Sequence, residues 1–319
     1  MVHVSPVYTA SVHTSSVHTS SMAAHKRQDY PVELQDACSK KQAMNQTAHH
    51  TITVRSIVLK PSAATPKYWF GGLVFETHFF NALSSTFPEG ERFFIQSVRL
   101  NSGSLTDPLL KTQVAAFTGQ EGQHSLEHDA HVKLLIDQGY VALTRGNALM
   151  RAVLRWFTRH LPRYSLAATT AVEHLTAVLA EGLMRHPDRW LAPMSADMRL
   201  LWHWHAMEES EHKAVAFDVY QQTVKNTTLR RLAMLNILPG LLTEVFVRQC
   251  YFMAKDGQLF DAAQWRRGTR FLWGRDGILR MLVRGHHAFY RRNFHPWETD
   301  NTAQIQRFLE NQQELWTSR

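Results

Sequence analysis

Apolar residues recur at helical spacing along most of the chain, in segments that proline and glycine separate. The first segment, 75–100, keeps this spacing on both sides of Pro88, which suits either the first turn of a helix or a kink. The second segment, 107–138, should begin with Asp107 or the preceding threonine as its N-cap. Both segments are therefore predicted to be helical.

Three more segments follow the same pattern. Segment 165–185 is apolar nearly all round, which is typical of a buried helix. Segment 201–218 has no Gly or Pro and is rich in residues that favour helix. A shorter basic helix is expected at 147–159, and apolar, Arg-rich segments continue over 229–254 and 265–292. We therefore predict an all-α fold, a ferritin-like four-helix bundle with additional C-terminal helices.

Two of the predicted helices carry the same short motif. Positions three and four apart share one face of a helix, so Glu209 and His212 form a Glu-x-x-His pair, with His205 one turn earlier on that face. Glu121 and His124 form a second pair. Two such pairs, with one Glu from each of two other helices, make up the di-metal carboxylate site of ferritin-like bundles.

The two remaining carboxylates stand in the two other long helices. Glu91 precedes Glu121 by 30 residues and Glu173 precedes Glu209 by 36, separations that return the chain to the same level of a bundle. Ionised carboxylates in apolar helices are costly unless they bind cations. We therefore predict two metal ions held by Glu91, Glu121, His124, Glu173, Glu209 and His212, with His205 as an optional seventh ligand.

Other acids and histidines lie close to this pattern. Glu181 is an alternative to Glu173, but Glu173 is nearer the middle of its helix and is preferred. Residues about 100° away from the ligand face, or one turn beyond it, should lie behind the ligands or face solvent. These are Glu208, Glu211 and His128, while His174 and His203 are predicted to be structural.

Composition and charge limit the partners. The chain has 319 residues, 44% of them hydrophobic, which is enough for a sizeable core. Its net charge of +8 is concentrated in 229–292, with 12 Lys/Arg against 4 Asp/Glu. We rank a covering layer of helices first for this region, peripheral membrane contact second, and nucleic-acid binding last, since no nucleic-acid motif accompanies the charge. Two distant cysteines fit a reducing compartment, so we expect a cytoplasmic protein, with peripheral attachment at the inner membrane face as the alternative.

The first 60 residues are predicted to stand apart as a tail. The sequence SVHTS occurs at 11–15 and again at 16–20, and no acid appears before Asp29. Such composition cannot bury enough apolar surface to order itself. The alternatives are a start site placed too early, ahead of Met22, a disordered tail, and, least favoured, a transit peptide. The di-metal bundle is then expected over 61–226 and the basic helical region, packed on it, over 227–319.

Five segments carry a family resemblance. FPEGERFF, GQEGQHSLEH, AVEHLTAVLAE, WHWHAMEESEHKAVAFDVY and FHPW resemble the bacterial predicted metal-dependent hydrolases over about 75–301, and that family's pattern falls on the same six positions. The order of the motifs is also similar to ferritin-like di-iron oxidases and oxygenases. The extra histidine, His205, resembles that of di-iron arylamine N-oxygenases. Where radical-forming ribonucleotide reductases keep a Tyr, this chain has His128.

Three functions follow from these observations. Mixed Glu/His ligation suits Fe or Mn and permits O₂ chemistry, so O₂-dependent oxidation of a small organic substrate by a di-iron centre is the leading hypothesis. Metal-dependent hydrolysis at the same site is the alternative, with Mn or Zn as other candidate metals. A non-catalytic, membrane-associated helical protein is the third. The oxidative hypothesis also calls for an electron donor, and a homodimer is left open.

Overall fold

The computed structural model describes residues 52–58, 60–311 and 316–318. Within them the predicted all-α fold is confirmed, since the only strands described are a short antiparallel pair, β1 (Arg55–Ile57) and β2 (Trp316–Ser318). The repeated SVHTS segment and the alternatives for the predicted tail lie outside the described residues.

Twelve α-helices and three 3₁₀ turns account for most of the described chain. The helices are α1 (Val74–Ser84), α2 (Phe87–Asn101), α3 (Pro108–Asp137), α4 (Leu143–His160), α5 (Pro162–Arg185), α6 (Pro187–Trp190), α7 (Ala196–His212), α8 (Val215–Thr223), α9 (Thr227–Lys255), α10 (Ala262–Trp273), α11 (Ile278–His286) and α12 (Thr302–Asn311). The 3₁₀ turns are Ser102–Ser104, His287–Tyr290 and Pro296–Glu298.

Local signals in the sequence explain several helix boundaries. Pro88 is the second residue of α2, so the first predicted segment is two helices, and Pro88 lies in a first turn rather than at a kink. Asp107 caps α3, and its carboxylate accepts hydrogen bonds from the amides of Leu109 and Leu110. Just after α3, Gly139 has a φ of 105°, a conformation that favours glycine.

The predicted helix over 201–218 differs from the observed one. Helix α7 begins earlier, ends at His212, and is followed after a two-residue break by α8. At the break, the buried Lys213 turns its ammonium toward the segment before α12, where it donates to the side chain of Asn301 at 2.8 Å. Burial lowers the pKa of Lys213 to about 8. All three residues of the metal motif still fall within α7.

Four helices enclose the region where the motifs lie. Helix α2 packs against α3 and α5, and α7 packs against the same two helices, so the four form a closed ring around a common interior. That this ring has the ferritin-like topology stays a prediction. From the C-terminal region, α9 packs on α5 and α1, α11 packs on α5, and α12 packs on α7.

Described residues before position 61, where the predicted tail was expected to end, already pack on the helices. Arg55, Ser56 and Ile57 of β1 are buried, and the Ser56 hydroxyl donates to Gln123 on α3 at 2.8 Å. This segment therefore packs on the helices, and the predicted division of the chain into a tail and two helical regions stays a prediction. Among the described residues, no helix combines the length and the apolar character needed to cross a membrane.

Candidate metal centre

The ring of helices brings all seven predicted site residues into one buried cluster. Each is at most 4% exposed. Ligand atoms approach one another within 4.8 Å in overlapping groups: Glu91–Glu121–His124, Glu121–Glu173–His212, His124–His205–Glu209 and Glu91–His128–His205. Because the groups share residues, the seven side chains form one continuous set of possible metal ligands.

The carboxylate of Glu209 lies among three imidazoles. Its Oε1 is 3.0 Å from Nε2 of His205, 3.6 Å from Nε2 of His212 and 3.7 Å from Nδ1 of His124. Burial opposes ionisation, but His212 and His205 hold the pKa of Glu209 well below its usual value. Glu209 is therefore the carboxylate that keeps its charge most readily in this cluster.

The pKa values of the other three carboxylates are raised by burial and by neighbouring carboxylates, including Glu209. Burial, and then the charges of neighbouring Glu residues, raise the pKa values of Glu91 and Glu121 well above the ordinary value. The same two causes raise the pKa of Glu173 to about 7. Although burial lowers the pKa of His212, the surrounding carboxylates raise it well above its usual value. The cluster thus needs positive charge in order to hold all four carboxylates ionised.

Many polar atoms at the centre have no hydrogen-bond partner in the described structure. They are both carboxylate oxygens of Glu91, Glu121 and Glu173, Nδ1 of His124 and Nε2 of His212. Nε2 of His212 does form ion pairs with Glu121 at 3.0 Å and Glu173 at 3.4 Å, but these contacts lack hydrogen-bond geometry. Buried polar atoms are rarely left unpaired, because desolvation without a compensating bond costs about 1–3 kcal/mol for each group. Oxygen and imidazole-nitrogen atoms in this arrangement fit metal ions as their missing partners.

Two of the histidines are oriented by hydrogen bonds to their outer nitrogens. Nε2 of His124 lies 3.1 Å from Oε2 of Glu208, which leaves Nδ1 toward the cluster. Nδ1 of His212 lies 2.8 Å from Oε1 of Gln120, which leaves Nε2 toward the cluster. Partners of this kind hold the ring orientation and tautomer that a metal ligand needs.

The third histidine is held by a chain of polar groups. Nδ1 of His205 lies 2.6 Å from Nε2 of His128, whose Nδ1 lies 2.7 Å from the hydroxyl of Ser84. The same hydroxyl lies 2.7 Å from Nδ1 of His131. His128 is thus buried behind the predicted ligands, and the surface alternative for it is wrong.

An arginine from β1 connects the outer partners of His124 and His212. Arg55 donates from both terminal nitrogens to Glu211, at 2.8 and 3.0 Å, and from one of them to Glu208 at 3.3 Å. Glu211 also accepts a hydrogen bond from the amide of Gln120 at 2.8 Å. Both Glu residues are buried, so of the two predicted alternatives the position behind the ligands is observed. Sequence reasoning missed Arg55, because a single Arg in a tail-like segment carries no recognisable signal.

The remaining candidates lie outside the cluster. Glu181, the predicted alternative to Glu173, forms an ion pair with Arg185 one turn along α5. His174 lies 3.1 Å from the carbonyl oxygen of Gly285, and His203 packs against the ring of Phe308. These contacts agree with structural roles for both histidines.

Comparison with known families agrees with the metal-binding character of this cluster. The family model described as "Predicted metal-dependent hydrolase" matches residues 53–300, which is most of the chain. The chain belongs to this family. The match begins within two residues of β1, so the segment that contains Arg55 lies inside the matched region. The searches of curated proteins and of solved structures returned no match, and a similarity to di-iron oxygenases is not shown.

Proposed function

We propose that the buried cluster is a dinuclear metal centre and that the protein is a metal-dependent enzyme acting on a small organic substrate. The six proposed ligands are Glu91, Glu121, His124, Glu173, Glu209 and His212, with His205 as a seventh ligand at one metal ion. The observation that carries this proposal is the set of inward-facing carboxylate oxygens and imidazole nitrogens without hydrogen-bond partners. Four Glu and two or three His suit Fe best, with Mn or Zn as alternatives.

Hydrolysis is the reaction that we put first. The family description names it, and metal ions held by these residues would supply Lewis-acid activation of the scissile group and of a water molecule. The protein's part is to hold the ligands in place and to exclude bulk water. Glu209, for example, is held from both sides, because Oε2 accepts from the hydroxyl of Thr176 and Oε1 lies against His205. His205 also lines the cavity beside the cluster.

O₂-dependent oxidation is the second candidate. A Glu-rich ligand set inside a helical bundle is the usual setting of di-iron oxygen chemistry, and the cavity that reaches the cluster is lined mainly by apolar side chains. The order of the two reactions is thus the reverse of the one predicted from the sequence, since the family match favours hydrolysis and does not extend to oxygenases.

Metal stoichiometry tests the centre directly. The metal-free chain would be loaded anaerobically with Fe(II), or separately with Mn(II), and its bound metal counted after desalting. We expect about two ions in the wild type and a loss of one or both in Glu121→Ala and in Glu209→Ala. The matched control is Glu181→Ala, which removes a carboxylate from α5 outside the cluster. Full occupancy in both cluster variants would refute the ligand assignment.

A second experiment separates the two reactions. The Fe(II)-loaded and Mn(II)-loaded proteins would be tested without O₂ on panels of esters, amides and phosphoesters. The Fe(II)-loaded protein would then be exposed to O₂ while its optical spectrum is recorded. Hydrolysis in the absence of O₂ supports the first reaction. A new near-UV or visible band with rapid loss of Fe(II), and no hydrolysis on any panel, would place oxidation first instead.

A further inference from the structure

Helix α4 presents an apolar stripe on its outer face. Leu149, Val153 and Trp156 follow one another at spacings of four and three residues, so they share one face of the helix. Their exposed fractions are 67%, 45% and 52%. The opposite face, which includes Leu143 and Asn147, is buried, and α4 packs on α2 and α5. The outer stripe is therefore not part of the core, and exposed apolar side chains that lie together are typical of a surface that binds a partner.

A groove with mixed chemistry runs beside this stripe. It lies between α4 and the C-terminal part of α2, and its lining includes Leu100, Arg155, Trp156, Arg159 and His160. Leu100 is 60% exposed, and the imidazole of His160 stacks on the indole of Trp156 with 4.9 Å between the ring centroids. Apolar surface and guanidinium groups therefore meet along the same edge of the helix.

Positive charge is concentrated on the same helix. Positions 138–172 contain five Arg and no Asp or Glu. Arg151 is paired with the carboxylate of Glu89 on α2. The exposed arginines of α4 that have no carboxylate partner among the described residues are Arg145, Arg155 and Arg159. Such a local excess of one sign attracts anionic partners.

The apolar stripe and the arginines together indicate the kind of partner. A second copy of the chain docked through the same face would bring the unpaired arginines of both copies together without carboxylates to compensate them, which is unfavourable. A bilayer that contains anionic lipids offers both complements, since its acyl chains accept apolar side chains and its phosphates attract Arg. Trp and Arg also suit the membrane–water interface, because each has an apolar body and a polar end.

We propose that α4 attaches the protein to the surface of a membrane that contains anionic lipids. Leu149, Val153 and Trp156 would insert between the lipids, with Arg155 and Arg159 against their phosphates. The proposal is independent of the metal centre, because α4 carries none of the proposed ligands. It also differs from the peripheral contact considered for 227–319, since it assigns the contact to a helix outside that region.

Co-sedimentation of the full-length protein with lipid vesicles tests the charge requirement. We expect binding to vesicles of phosphatidylglycerol and phosphatidylcholine in equal amounts, and at least about tenfold weaker binding to phosphatidylcholine alone or in about 1 M salt, where the Debye length is about 3 Å. Arg155→Gln with Arg159→Gln should weaken binding about 25-fold, at about fivefold for each charge removed. The matched control is Arg280→Gln with Arg284→Gln, which removes two exposed arginines at the same spacing from α11 and should change binding less than about twofold.

A second pair of variants tests the apolar stripe. Leu149→Gln should weaken vesicle binding about tenfold, because the insertion of one Leu side chain into the bilayer is lost. The matched control is Leu126→Gln, which changes a Leu of α3 that is 58% exposed and should leave binding unchanged. Both positions are exposed, so circular dichroism and metal content should match the wild type in each variant.

Three results would overturn the proposal. The first is equal binding to the two kinds of vesicle, or equal losses in the α4 and α11 arginine variants. The second is salt-sensitive binding to polyglutamate rather than to vesicles, unaffected by Leu149→Gln, which would indicate an acidic protein partner. The third is a wild-type dimer in sedimentation velocity that Leu149→Gln dissociates, without vesicle binding, which would assign the stripe to a second copy of the chain.

Discussion

Replacing Arg55 by Met should disturb both the stability of the fold and the affinity of the metal centre. Arg55 is 5% exposed and is the cation nearest to two buried carboxylates, those of Glu208 and Glu211. Met keeps an apolar side chain of similar length but removes the three hydrogen bonds from the guanidinium to Glu208 and Glu211, and also the one to the carbonyl oxygen of Thr53. The substitution therefore removes the charge and the hydrogen bonds of Arg55 while most of its packing is kept.

The expected loss in the free energy of unfolding follows from the buried carboxylates that are left without Arg55. Removing one partner of a buried ion pair typically costs 3–5 kcal/mol, because the other charge is left without compensation. Burial and the charge of Glu211 already raise the pKa of Glu208 to about 8, so this carboxyl can take up a proton instead. We therefore expect the free energy of unfolding to fall by an amount near the lower end of this range, about 3 kcal/mol. Combining Arg55→Met with Glu211→Gln should restore part of it, since the second change removes the uncompensated charge.

Loss of Arg55 should also weaken metal binding by the proposed ligands. Glu208 and Gln120 orient His124 and His212, and changes in such outer partners typically weaken metal binding 10–100-fold. Urea unfolding of the metal-free protein would measure stability, and competition with a metal-responsive dye would measure affinity. Fold and metal effects are separable, because the dye assay is run far below the unfolding midpoint.

The matched control is Arg151→Met. Arg151 also forms a two-point contact with a buried carboxylate, that of Glu89, but its own side chain is 48% exposed and Glu89 keeps a second partner in Arg92. We expect a loss of less than about 1 kcal/mol and unchanged metal affinity. If Arg55→Met were as stable as Arg151→Met and bound metal as tightly as the wild type, the role assigned to Arg55 would be wrong.

Two further predictions concern pH and a second buried charge. Because folding raises the pKa values of Glu173 to about 7 and Glu208 to about 8, their contribution to stability is complete below the ordinary value of 4.5 and is lost as the pH rises through those values. Metal-free protein should thus unfold at lower urea concentration at pH 9 than at pH 6, and an unchanged or rising midpoint would contradict this. Asp256→Asn should cost about 2–3 kcal/mol in the same assay, since this carboxylate accepts hydrogen bonds from four side chains, including Tyr140 at 2.9 Å. The exposed Asp137→Asn should change the midpoint little, and equal losses in the two Asp variants would argue against the assigned role.

Helical spacing explains why most of the predicted cluster lies together in the structure. The Glu-x-x-His pairs depend only on the period of one helix, and the similar separations within the two helix hairpins set the level at which the pairs meet. Glu173 is preferred to Glu181 because it is nearer the middle of its helix. In the structure Glu173 lies in the cluster, whereas Glu181 forms an ion pair with Arg185. The ligand roles themselves stay predictions until metal is counted.

Other features depend on contacts between distant parts of the chain. Arg55 reaches Glu208 and Glu211 across more than 150 residues, and no local pattern indicates that contact. The direction of the imidazole of His205 depends likewise on His128 from a different helix. Periodicity assigns a face to each helix, so the amino-acid sequence was enough to predict the long helices and the Glu and His residues that face inward. Only tertiary packing decides which partners stand behind those residues and which apolar walls meet at the cluster, because these depend on how separate elements approach one another.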